Sequence, residues 1–110
     1  MVTIYIVKSE KCQHNTKVIA EIKQNDIVAI NIRSTCSRVR KYGEELKEVH
    51  AKDLVKPILT NPVYIIASNV VCPGCAVLSG VIYASWAEIG LISKNLLKEY
   101  PLVVIKYEEP

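Results

Sequence analysis

Thr16-Lys-Val-Ile-Ala-Glu-Ile-Lys23, Gln24-Asn25-Asp26 and Ile27-Val-Ala-Ile-Asn-Ile-Arg33 form the stretch on which the fold turns. Val18, Ala20 and Ile22 alternate with Lys17, Glu21 and Lys23, and after the polar triplet Val28, Ile30 and Ile32 alternate with Asn31 and Arg33. Period-two runs on either side of a short Asn/Asp turn read as two antiparallel strands. Only Ile19 falls out of pattern.

Reading outward, Val2 to Lys8 alternates as well, with Val2, Ile4 and Ile6 as its more apolar face against Thr3, Tyr5 and Val7. The links are too short for a parallel crossover, which needs a dozen or more residues, so the three strands form a meander. The loop holding Cys12 and the exit holding Cys36 then lie at the same end of the sheet. Pairing about Gln24 and Asn25 puts positions 12 and 36 almost opposite each other.

Beyond the meander, Ser34 or Thr35 caps a helix from about Cys36 to His50, with Val39, Tyr42, Leu46 and Val49 along one stripe. A thiol in a first helical turn is favoured as thiolate. Ala51 to Thr60 reads as a short helical turn interrupted at Pro57. Asn61-Pro62 has the form of an N-cap followed by proline at the first helical position. Val63 to Val70 is then helix, with a buried strand as the competing assignment. Ala76 to Ile89 is apolar on nearly all sides and ends before Gly90, as a buried helix would. Ser93 to Glu99 is a short amphipathic piece, and Leu102 to Tyr107 reads as a last strand beside the first. The expectation is an α+β fold: an antiparallel sheet of about four strands, β-β-β-α-α-α-β, with helices on one face.

The 110 residues make one domain, 1–110, large enough for one core. Half are apolar, with no Phe, so that core is aliphatic around Trp86 and the tyrosines. A net charge of +3 does not demand a polyanionic partner. All three arginines, Arg33, Arg38 and Arg40, with Lys41, nevertheless crowd around Cys36, where they are either a solvated helix start or a nucleic-acid contact. Met1 to Lys8 has neither a basic leader nor a small-residue cleavage site, which points to the cytoplasm. No charge occurs from Pro62 to Ala87, but Pro73-Gly74 breaks that run, so no membrane span is expected.

The chemistry gathers in four cysteines. Cys72-Pro-Gly-Cys75 places two thiols at a forced bend, and Cys12 and Cys36 stand singly. In a reducing compartment such cysteines serve as metal ligands or redox thiols, although the richness in Ile, Val, Lys and Glu is thermophile-like and keeps static disulfides open. Four thiolates suit tetrahedral zinc or an iron–sulfur cluster. A single C-x-x-C favours the cluster, because zinc sites commonly use two.

Cys12, Cys36, Cys72 and Cys75 are therefore the expected ligands of an iron–sulfur cluster or zinc, in electron transfer or in a metal-stabilised module with a protein partner. A dithiol with Cys72 as nucleophile and Cys75 as resolving thiol is the alternative. It is not of thioredoxin type, since only 35 residues follow Cys75. His14 and His50 read as loop and helix-end histidines, and Glu88 as an exposed acid ending the buried helix. No hydrolase or phosphate-loop motif is present.

The segments Ser34-Thr-Cys36-Ser-Arg-Val39, Asn61-Pro-Val-Tyr-Ile-Ile-Ala-Ser68 and Cys72-Pro-Gly-Cys75-Ala-Val-Leu-Ser-Gly-Val81, followed by Glu88-Ile-Gly-Leu91, resemble an uncharacterised family of small archaeal four-cysteine proteins. The resemblance brings no activity. It implies that Cys12, Cys36, Cys72 and Cys75 are the positions that matter.

Overall fold

A computed structural model describes residues 2–110. Strands β1 (Val2–Ser9), β2 (His14–Ile22) and β3 (Ile27–Ser34) form the expected meander. The turn between β2 and β3 is made by Asn25 and Asp26, both at positive φ (63° and 56°), a conformation that short Asx side chains tolerate. Lys23 N–H closes it on the Ile27 carbonyl at 2.6 Å. Ile22 pairs with Val28 and Thr16 with Ser34, so the pairing is centred on Asn25, half a step beyond the expected register.

Helix α1 (Ser37–Glu45) follows, and it is shorter than the sequence suggested. Leu46 leaves helical geometry, and the chain enters β4 (Glu48–His50), where Val49 pairs with Val28. The apolar stripe that pointed to a longer helix is real, but Val49 is buried as a strand residue: a β-branched side chain opposite Val28 fits a pleated surface. The sheet order is β1-β2-β3-β4, so the four-stranded α+β class is correct while the fourth strand is Glu48–His50. Leu102 to Tyr107 forms no strand; residues 101–110 are irregular and exposed.

The remaining elements follow local chemistry. Two 3₁₀ turns, Ala51–Val55 and Ile58–Thr60, flank Pro57. Helix α2 (Pro62–Ala67) starts from Asn61, whose side chain accepts from Val63 N–H, which settles helix over strand for this segment. Helix α3 (Val77–Glu88) ends in a Schellman arrangement: Gly90 has φ 83°, its N–H reaches the Ala87 carbonyl at 3.4 Å, and Leu91 N–H reaches that of Trp86 at 2.9 Å. Ser93 caps α4 (Lys94–Glu99). No helix among the described residues is long and apolar enough to cross a membrane.

One core lies between the sheet and the helices, with Val18, Ala20, Val28, Tyr42, Leu46, Val63 and Val81 all buried. In β1 the inward face is opposite to the one expected: Thr3, Tyr5 and Val7 face α3, while Val2, Ile4 and Ile6 lie on the open side. The register explains the inversion. Thr3 pairs with Ala20 and Tyr5 with Val18, and directly opposed residues share a face. Bulk decides it too, because Tyr5 stacks on Tyr83 of α3. Helix α3 approaches this face closely at Gly80, where a Cβ would stand 2.8 Å from Val7 Cγ2.

Glu88 is the second reversal. Its side chain is only 1% exposed, and it accepts from Thr3 Oγ1 (2.6 Å) and Ile22 N–H (3.0 Å) while pairing with Lys94 Nζ (2.7 Å). One carboxylate thus ties the end of α3 to β1, β2 and α4. Burial alone pushes the carboxyl up, but the hydrogen bonds from Lys94, Thr3 and Ile22 and the Lys94 charge outweigh it and hold it below the ordinary carboxylate value. A depressed native value stabilises the fold above the unfolded value near 4.5, and that stability is lost as pH falls through the native value. Glu88→Gln is therefore expected to cost about 2 kcal/mol at neutral pH. Urea titrations at pH 7 and pH 3 should show the two proteins converging in acid, and a gap that does not narrow contradicts this role.

Candidate functional site

All four cysteines are free thiols, and three local devices deliver them. Cys12 lies in the turn joining Ser9 to His14, exposed, with Gln13 at φ 59°. The His14 amide, then the Ser9 hydroxyl, favour the charged sulfur and hold this thiol below its ordinary value. Cys36 is the N-cap of α1 rather than a first-turn residue; its amide donates to Ser34 Oγ at 3.1 Å, and its side chain packs against the core. Cys72 and Cys75 close a turn through Cys75 N–H to the Cys72 carbonyl at 3.0 Å, just before α3. Cys72 is exposed, and Cys75 is half-buried against the core.

The Cys12 loop and the Cys36 corner are tied together. His14 Nδ1 lies 3.0 Å from Thr35 Oγ1, and Asn15 N–H donates to the same hydroxyl at 3.1 Å. Thr35 N–H returns to the Asn15 carbonyl at 3.1 Å. His14 therefore acts as a brace beside Cys36, a role its sequence position did not reveal.

Electrostatics links all four sulfurs. Burial pushes the Cys75 thiol up, the Val77 amide partly counters this, and negative charge on Cys72, Cys36 and Cys12 pushes it up further. Cys75 also acts on Tyr42, whose hydroxyl is raised mainly by burial and donates to the Val63 carbonyl at 2.9 Å. Even so, among the described residues no three His, Cys, Asp or Glu side chains stand in a metal-holding arrangement.

A family model described as "Family of unknown function (DUF6951)" matches residues 3–100. The chain belongs to that family. The match contains Cys12, Cys36, Cys72 and Cys75, whereas residues 101–110 lie outside it. No curated protein and no solved structure matches the chain.

The basic residues near Cys36 divide. Arg38 and Lys41 are exposed on α1, and the Arg40 guanidinium donates to the Ser34 carbonyl at 3.1 Å. Arg33 projects from the open face of the sheet, beside Lys17 in a depression of about 280 Å³.

Proposed function

We propose that Cys12, Cys36, Cys72 and Cys75 bind one metal centre, zinc or an iron–sulfur cluster, and that the protein acts in electron transfer or as a metal-stabilised module for a protein partner. The observation that carries this reading is the upward push that Cys72, Cys36 and Cys12 each exert on the Cys75 thiol. Like charges brought together this way are unfavourable alone and are relieved by a bound cation. Backbone support fits as well: the His14 amide is directed at Cys12 and the Val77 amide at Cys75, each two residues past its thiol. Such donors stabilise thiolate ligands and tune a cluster. Ligand spacing then requires the exposed Cys12 loop and Cys72 to move inward, which these turns permit more readily than the core-packed Cys36 and Cys75. We read the setting as a reducing cytoplasm, and the family as one of archaeal four-cysteine proteins.

Elemental and sulfide analysis of protein purified without oxygen tests the reading. The expected result is one zinc per chain, or iron with inorganic sulfide and a sulfur-to-iron charge-transfer band. Metal-free protein that refuses added zinc contradicts it. The exposed Cys72 beside the half-buried Cys75 also suits a nucleophile and a resolving thiol, so a reversible Cys72–Cys75 disulfide without metal would select the dithiol function. Nucleic-acid contact through Arg38, Arg40 and Lys41 is the weaker reading, because Arg40 is already engaged. It requires steeply salt-dependent binding.

A further inference from the structure

We propose that two copies of the chain exchange their C-terminal segments, residues 102–109 of each adding parallel to the open β1 edge of the other. Two unpartnered features motivate this. Strand β1 is outermost in the sheet and pairs only with β2, leaving one row of backbone groups without strand partners. Natural edges are blunted by charge, proline, bulges or shortness. The eight residues of β1 have no proline, and their single charge, Lys8, comes near the end. The opposite edge, β4, is three residues long.

The second feature is the segment Leu102-Val103-Val104-Ile105-Lys106-Tyr107. Its β-branched and aromatic content suits a strand, yet Leu102, Val104, Ile105 and Tyr107 are 69–92% exposed. It lies outside the family match, so the four-stranded fold is complete without it. It also leaves the body beside β1, since Tyr100 and Val103 line a cavity of about 290 Å³ with Tyr5 and Tyr83. Exchange at that point unravels no helix.

Side-chain pattern and charge select the parallel alignment. With Leu102 beside Val2, Val103, Ile105 and Tyr107 share the inward face of Thr3, Tyr5 and Val7. Leu102 and Val104 extend the open row of Val2, Ile4 and Ile6, which are 44–53% exposed. Glu108 then falls beside Lys8. Each copy contributes both a tail and an edge, so a two-fold pair satisfies both edges at once.

Sedimentation equilibrium on the full chain tests this. The expected mass is twice 12.3 kDa at micromolar concentration. Val104→Pro, in a segment outside the core, is expected to weaken the dimer about a hundredfold by removing a ladder hydrogen bond and clashing in the strand. Lys8→Glu should also weaken it, and Lys8→Glu combined with Glu108→Lys should restore it. A monomer at all concentrations overturns the proposal, including one whose β1 amides are protected by its own tail. A dimer indifferent to Val104→Pro overturns it equally, because another face would then hold the copies together.

Discussion

Cys75→Ser is expected to weaken zinc binding about a hundredfold or more and, in the metal-free protein, to remove a loss of stability at alkaline pH. The first effect follows from ligand count. A structural zinc site is worth about 10–16 kcal/mol in total, so one ligand of four accounts for on the order of 3 kcal/mol, or about two powers of ten. The second follows from the raised thiol. A native value above the ordinary 9.0 stabilises the fold below that pH, and the stabilisation is lost as pH rises through the native value. Serine does not titrate there, so above pH 9 the wild-type protein should weaken more than the variant, over the alkaline loss that the raised Tyr5 and Tyr42 hydroxyls impose on both.

Competition with a chromophoric chelator reads the affinity, and urea titrations between pH 7 and pH 10.5 read the stability. Serine at Cys12, Cys36 or Cys72 should lower affinity on the same scale. Losses confined to Cys72 and Cys75 would mean that a two-thiol turn acts alone, and unchanged affinity in Cys75→Ser would remove the metal reading.

The part of this site that could be read from the sequence was its topology. Alternation in β1, β2 and β3 with short links forces a meander, and a meander carries Cys12 and Cys36 to one end whatever the helices do. The Asn61-Pro62 start and the Gly90 stop were equally legible, because capping is written in adjacent residues. What escaped depended on partners far along the chain. The inward face of β1 is set by its register against β2 and by Tyr83, not by which of its two faces is more apolar. Glu88 is buried because Thr3, Ile22 and Lys94 converge on it, and Thr3 is 85 residues away. Val49 belongs to a strand because Val28 waits opposite. Each is a case of tertiary contact overriding a local signal that pointed elsewhere.

Asn61→Ala should cost the fold about 2 kcal/mol, or a fall in Tm of roughly 10 °C. Asn61 is 2% exposed, and its side chain serves two elements at once. Oδ1 accepts from Val63 N–H at 3.0 Å and starts α2, while Nδ2 donates to the carbonyls of Leu54 (3.4 Å) and Lys56 (3.2 Å). Alanine removes the cap, which leaves the buried Val63 amide without its acceptor, and takes the side-chain donor from the Lys56 carbonyl, each costing about 1 kcal/mol. The Leu54 carbonyl suffers less, because Trp86 Nε1 still donates to it at 2.9 Å. Asn61→Ser keeps a cap acceptor without the two donations and should recover about 1 kcal/mol of the loss. Thermal melts of the three proteins decide the matter, and an alanine variant within about 0.5 kcal/mol of wild type would mean that the 3₁₀ turn and α2 are held by packing alone. The damage should also reach the cysteines, since α2 leads through Val70 and Val71, both packed on the core, into the Cys72–Cys75 turn. Amide exchange at Cys75, whose N–H closes that turn on Cys72, is therefore expected to quicken in Asn61→Ala by more than in Asn61→Ser.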